Sequence, residues 1–340
     1  MFLESLEKGL AKLALDSPFS RVAPLAYTPI HSCLLPLYVQ VEVTTKCNLR
    51  CLNCGRTNKV NSDMSPSLFR SIVDQLRGLS FLQRRLDLTG LGEPLLNPEL
   101  VSMVRYAKRL GFRVSLTSNF TTINQDNAAG LIGAGLNYLY VSFDGASRET
   151  FEKLRHGADF DRIVRNVGLF IKTRKDLNVD TPRLLFETTV SELNVHEVPE
   201  IVKLGESLNI DGMLFYRPVL PGKSDYVDDS FASVDWKELS KNGVEIQVGS
   251  FGKPVRPCIG VFGCYVTFDG KVLQCNRMIQ LLRRKDYALH QFGDVNESSL
   301  PSIWFSDRYR KFRTRIGLGL YSGICEYCPT GSYYSAGHSS

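Results

Sequence analysis

The sequence predicts an α/β chain: a partial (β/α)6 barrel followed by a small cysteine-rich domain. Three observations carry this. Between residues 37 and 218, short β-branched and aromatic runs alternate six times with longer segments of helical apolar spacing, which indicates a parallel sheet with right-handed crossovers. Six units are too few for a closed eight-unit barrel and leave an open, curved one. Beyond residue 219 the alternation stops, and all five late cysteines lie there.

The elements follow in order. Residues 37–45 form the first strand and end at the first cysteines, with a helix expected near 65–78, where Ser65 can cap and Pro66 can open the first turn. Strand 84–90 precedes helix 97–111, which Gly111 ends. Strand 113–119, helix 124–134 and strand 138–144 come next, then helical patterns over 147–155 and 160–175. Strand 184–190, helix 195–208 and strand 212–218 complete the six units. Residues 219–256, with Pro, Gly, Ser and Asp, read as a connector holding one helix near 235–240. YVTFDGKVLQC (265–275) reads as a hairpin turning at Asp269-Gly270, and a single helix is expected over about 299–315. The expected division is therefore 1–36 lead-in, 37–218 barrel, 219–256 connector and 257–340 cysteine-bearing domain.

Leu3, Leu6, Leu10 and Leu13 recur at helical spacing, while Glu4, Glu7 and Lys8 interrupt any signal-peptide core. No run approaches a membrane span, so a cytoplasmic protein is expected. The net charge of +6 is mild, and only Arg283, Arg284 and Lys285 form a tight basic run. That run suits a solvated surface, an anionic substrate or an acidic electron donor. No nucleic-acid motif is present.

Nine cysteines in a chain expected in the cytosol point to metal binding before disulfides. Cys47, Cys51 and Cys54 have the spacing C-x3-C-x2-C, in a loop directly after the first strand. Three thiolates hold three irons of a cubane and leave the fourth iron open to chelate a small molecule. The alternative, a tetrahedral zinc site, needs a fourth ligand that the nearby sequence lacks.

The run VEVTTKCNLRCLNC resembles the opening of the radical S-adenosylmethionine (SAM) superfamily. That resemblance implies a [4Fe–4S] cluster whose open iron binds the amino and carboxyl groups of SAM. It also implies reductive cleavage to a 5′-deoxyadenosyl radical that abstracts a hydrogen atom from substrate. Asn53 stands where relatives usually carry an apolar residue near the adenine. LTGLGEP (88–94) resembles the family's glycine-rich loop, which puts Gly92, Glu93 and Pro94 at the SAM amino group. Ser118 and Asn119, ending the third strand, belong to the same expected SAM site. SFDGAS (142–147) resembles the ribose-contacting segment, with Ser142 and Asp144 pointing the same way along the strand. Arg155 resembles the arginine that pairs with the SAM carboxylate.

Cys258, Cys275, Cys325 and Cys328 make a second set of four thiolates. Four cysteines close a cluster completely, and the pattern resembles the SPASM/Twitch extension in its one-cluster version. A structural zinc is the alternative. Cys33 reads as a small buried hydrophobe. Cys264 reads as a cluster ligand, a core residue or a hydrogen-atom donor facing the substrate. The resemblance leaves two substrate classes open: a small polar metabolite (a sugar, aminocyclitol or nucleoside), or a peptide. Only 36 residues precede the first strand, too few for the added peptide-recognition domain of peptide-modifying relatives, which favours the metabolite. A flavodoxin or ferredoxin type electron donor is implied. A zinc-stapled module without catalysis is the non-enzymatic alternative.

Overall fold

The computed structural model describes residues 36, 38–55, 60–77, 85–216, 231, 233–241, 244–249, 263–275, 278, 287–318, 320, 325 and 333–334. The N-terminal helix, Cys33, the 283–285 basic run, Cys258 and Cys328 lie outside them.

The strands are β1 Tyr38–Val41, β2 Arg85–Asp87, β3 Arg113–Ser118, β4 Tyr138–Ser142, β5 Arg183–Thr189, β6 Gly212–Tyr216, β7 Glu245–Gly249, β8 Gly263–Val266, β9 Lys271–Leu273, β10 Gly293–Asp294 and β11 Tyr333–Tyr334. The helices are α1 Pro66–Arg77, α2 Leu100–Arg109, α3 Gln125–Gly133, α4 Arg148–Leu154, α5 Phe160–Asp176, α6 Val198–Ser207, α7 Trp236–Leu239, α8 Tyr287–His290, α9 Leu300–Trp304 and α10 Asp307–Gly317. All strands belong to one sheet, in the order β10-β9-β8-β1-β2-β3-β4-β5-β6-β7-β11. From β8 to β7 every neighbouring pair is parallel. Among the described residues no helix is long and apolar enough to cross a membrane.

Three sequence expectations change. The connector contains a strand: β7 pairs in parallel with β6 and adds a seventh strand to the six. The hairpin turns at Asp269-Gly270 as expected, Gly270 taking φ +94°. It is not a separate layer, however, because β8 pairs in parallel with β1 and extends the barrel sheet. The single helix over 299–315 is two, broken at Phe305-Ser306, where the Ser306 hydroxyl accepts from the Tyr309 amide and starts α10.

Strand alternation divides the sheet into two chemistries. On the helix-covered face, register aligns Cys264, Val39, Leu86 and Val114, then Leu116, Leu139 and Leu184, then Val141, Phe186, Met213 and Ile246. All of these are buried. On the opposite, inner face, register aligns Tyr265, Gln40, Asp87, Ser115 and Tyr138, then Thr117 beside Tyr140, then Ser142 beside Glu187. Ordinary parallel strands buried on both faces are near-continuously apolar; here the inner face is mostly polar, with Leu185 beside Tyr140 and Leu214 beside Glu187 as apolar members.

Candidate active site

The three cysteines of the first loop form no disulfide; Cys47 and Cys51 are half-buried and Cys54 is exposed. The loop is tied down on several sides. Before it, the Thr44 hydroxyl and the Lys46 ammonium both reach Asp63, each at 2.6 Å. Arg50 and Leu52 donate their amides to the His156 and Leu154 carbonyls beyond α4, at 3.0 and 2.8 Å. Asn48 donates to the Thr121 hydroxyl at 2.7 Å and accepts from the Asn119 amide at 2.9 Å. The Asn119 Nδ2 also lies 4.0 Å from Cys47 Sγ, and Arg155 Nη1 lies 4.0 Å from Cys51 Sγ. Burial pushes the Cys51 thiol up to about 11 against the pull of Arg155, with Cys54 and Cys47 close enough to add to the rise. Metal binding would replace those protons.

This donor set fits a cubane. Among the described residues no three His, Cys, Asp or Glu side chains converge to hold a single ion. Three thiols in one loop, with Cys47 and Cys54 near enough to act on the Cys51 thiol, supply one ligand to each of three iron corners.

The expected SAM residues separate into two groups. Gly92 is packed so closely that a β-carbon there would lie 2.2 Å from the Thr44 carbonyl oxygen, and the Glu93 amide donates to the Lys46 carbonyl at 2.7 Å. The glycine-rich loop therefore lies directly on the segment that leads into Cys47. The Glu93 carboxylate, expected at the SAM amino group, is buried and turned into the protein. It accepts from the Ser118 hydroxyl at 2.7 Å and from the Asn119 and Leu95 amides at 2.6 and 3.1 Å. A carboxylate at such depth must be hydrogen-bonded, and burial raises its pKa in spite of those bonds. Ser118 is committed likewise, since its hydroxyl accepts from the Phe120 amide while donating to Glu93. Pro94 opens a short 3-10 turn and is buried. Glu93, Ser118 and Asn119 thus brace the cysteine loop; what the 92–94 loop offers a ligand is backbone.

Ser142 and Asp144 form the second group with Arg155. Ser142 ends β4 beside Glu187. The buried Asp144 carboxylate accepts from the Thr189 amide at 2.7 Å and pairs with Arg155 at 2.7 Å. Burial pushes the Asp144 pKa up against the Arg155 charge; burial pulls Arg155 down, but Asp144 and its other anionic neighbours raise it on balance. Arg155 therefore bridges Asp144 and Cys51, joining the fourth strand's end to the cysteine loop.

Sequence reasoning missed the polar floor beneath. Burial pushes Asp87 up to about 7, although the Thr89 and Ser115 hydroxyls donate to it and hold it down. Glu187, raised by burial, accepts from Tyr216 and Thr117. Glu42, also buried, accepts from the Leu91 and Phe268 amides at 3.2 and 3.4 Å and so ties the glycine-rich loop to the C-terminal hairpin. Alternation of polar residues within β2 to β5 was the available signal.

Cys264 lies in the hydrophobic core, one of the three positions its sequence leaves open. Its register partner is Val39, its exposure is 1%, and burial pushes its thiol up to about 12. A hydrogen-atom donor would have to stand one residue away in register, on the inner face, where Tyr265 lies. Cys275 and Cys325 both pack against the small cluster of Tyr265, Leu273 and Met278, which also touches Leu91 and Phe312.

An open parallel barrel with three cysteines at the C-terminal end of its first strand, a glycine-tight loop beside them and a largely polar interior below defines an enzyme built around an iron–sulfur cluster. The chain belongs to the radical SAM superfamily: that family's model matches residues 41–204, and the model of an iron–sulfur cluster-binding domain, SPASM, matches 258–329. It is 27% identical over 304 residues to the tungsten-containing aldehyde ferredoxin oxidoreductase cofactor-modifying protein of Pyrococcus furiosus, covering 81% of this chain and 83% of that protein. It is 26% identical over 331 residues to an AdoMet-dependent heme synthase of Methanosarcina barkeri, covering 86% and 89%. In fold it is similar to Streptococcus suis SuiB solved with S-adenosylmethionine, with a TM-score of 0.66 and 14% identity over 92% of this chain and 78% of that one.

Proposed function

We propose that the protein holds one [4Fe–4S] cluster on Cys47, Cys51 and Cys54 and a second on Cys258, Cys275, Cys325 and Cys328, and oxidises a small polar metabolite by hydrogen abstraction. The observation that carries this is the placement of the cysteine loop, the 92–94 backbone and the Asp144–Arg155 pair at the strand ends, above a polar interior. Bound there, the reduced first cluster supplies the electron that cleaves SAM to the 5′-deoxyadenosyl radical. The chain's own residues do the rest. The backbone of Gly92 to Pro94 receives the SAM ammonium, Ser142 and Asp144 receive the ribose hydroxyls, and Arg155 offers its guanidinium to the carboxylate. Asp87, Thr117, Tyr140 and Glu187 on the inner face suit a substrate rich in hydroxyl or amino groups.

Two points narrow the reading. Relatives that cover most of both chains are named for cofactor modification, heme formation and peptide cyclisation, so the polar inner face is what favours a small organic substrate over a peptide. Cys264 lies on the wrong face to return a hydrogen atom, which favours oxidation over epimerisation. The electron donor is a flavodoxin or ferredoxin type protein. Exposed Arg308, Lys311 and Arg315, spaced along α10, suit its acidic surface. Anaerobic turnover with SAM, a low-potential reductant and a panel of sugars, aminocyclitols, nucleosides, cofactor precursors and short peptides tests the proposal. Substrate-dependent 5′-deoxyadenosine with a small molecule is expected; stimulation by peptides alone would overturn the substrate class.

A further inference from the structure

Glu197 lies in a short 3-10 turn after β5, remote in sequence from every motif above, yet it closes over the loop that follows β4. One carboxylate oxygen accepts the Ala146 and Ser147 amides at 2.6 and 3.1 Å, and the other accepts the Ser147 and Thr150 hydroxyls at 2.5 and 2.6 Å. Its side chain is 13% exposed. Asn194, fully buried, works beside it: Nδ2 donates to the Asp144 carbonyl at 2.8 Å and to the Thr189 carbonyl at 2.9 Å, and Oδ1 accepts the Ser191 amide at 2.7 Å. The Asp144 carboxylate is itself held by the Thr189 amide. The loop is therefore fixed by the next β/α unit as well as by its own, where Ser147 caps α4 and Arg155 pairs with Asp144. It has no slack on the other side, since a β-carbon at Gly145 would lie 2.8 Å from the Phe151 nitrogen.

The Glu197 carboxylate occupies the Ala146 and Ser147 amides just before α4, and the Ser147 hydroxyl accepts the Thr150 amide. A nucleotide reaching this strand end meets Ser142 and Asp144. We infer that Glu197 is a positioning residue for SAM: it fixes the 143–147 loop so that Asp144 presents its carboxylate at the height of the ribose, without touching the cofactor. Asn194 supports the same placement through the Asp144 carbonyl. The inference rests on the proposed SAM contact of Asp144.

The test is equilibrium SAM binding to iron-loaded Glu197→Ala, Glu197→Gln and Asp144→Ala proteins, with iron content and thermal midpoint measured alongside. Glu197→Ala is expected to weaken SAM binding about tenfold, because a small misplacement of a contacting group is costly. Glu197→Gln keeps one acceptor oxygen and is expected to recover part of the loss. In turnover the KM for SAM rises while kcat at saturating SAM holds. If Glu197→Ala fails to fold, Thr150→Val removes one of the four donors and is expected to weaken SAM binding about twofold. A lowered thermal midpoint with SAM affinity unchanged in the Glu197 variants and weakened in Asp144→Ala would make Glu197 a helix cap only and overturn the inference. Unchanged affinity in all variants would overturn both the inference and the contact it rests on.

Discussion

The two cysteine-bearing regions are organised by different means. The Cys47–Cys54 loop is anchored to Asp63, to the end of α4 and to Asn119, and it lies under the glycine-tight loop. Cys275 and Cys325, among the described residues, share one small apolar cluster and the margin of the sheet. The first region is shaped by the polypeptide. The second is expected to depend on bound metal for its shape, as small metal-stapled folds do.

Removing the thiols of the first region gives the largest chemical effect and the smallest structural one. Cys47, Cys51 and Cys54 changed together to Ala are expected to lower iron from about eight to about four per chain. 5′-Deoxyadenosine formation should vanish with the thermal midpoint held. An iron content that does not fall would remove the assignment. In the second region the balance reverses: Cys275→Ala or Cys325→Ala is expected to lose about four irons and, with them, hydrogen-exchange protection over 263–273 and 307–317. Protection that survives iron loss would erase the contrast between the regions.

A subtler effect belongs to the barrel's inner face. Asp87 binds its proton more tightly folded than unfolded, since burial lifts it from 3.8 to about 7. The folded state therefore carries more protons between about pH 4 and 7, and stability falls as pH rises through that window. Asp87→Asn is expected to flatten this slope, gaining on the order of 4 kcal/mol at pH 8 relative to pH 4. Denaturant unfolding at the two pH values measures it, and parallel slopes for both proteins would show the carboxyl to be hydrated. The smallest effect is expected from Cys264→Ala, about 1 kcal/mol of stability, with iron content and product unchanged; lost product would return Cys264 to the chemistry.

The sequence reveals most of the barrel because each β/α unit carries its own local signal. Strand β7 escaped because EIQVG sits in Pro- and Gly-bearing surroundings, and its partner β6 lies about 30 residues away. The pairing of β8 with β1 is also non-local, joining residues at opposite ends of the chain. At the site, the cysteines and glycines were legible because their spacing is itself the chemistry. The direction of Glu93 and Ser118 was not, since both serve a network that exists only once β3 lies beside the glycine-rich loop. Glu197 was hidden for the same reason: its partners are 47 to 51 residues back.

The parallel contact between β8 and β1 limits how the chain can be cut. β1 is flanked by β2 on one side and β8 on the other. Cleaving the chain after β7 would strip one flank and leave Tyr38–Val41 as an open sheet edge, ready to recruit strands from other molecules. The exposed edge would lie directly before the loop that carries Cys47. A truncated barrel would therefore have a solubility fault beside its cysteine loop, so the segment that carries β8 is a structural wall of the barrel as well as part of the stretch matched by the iron–sulfur cluster-binding domain.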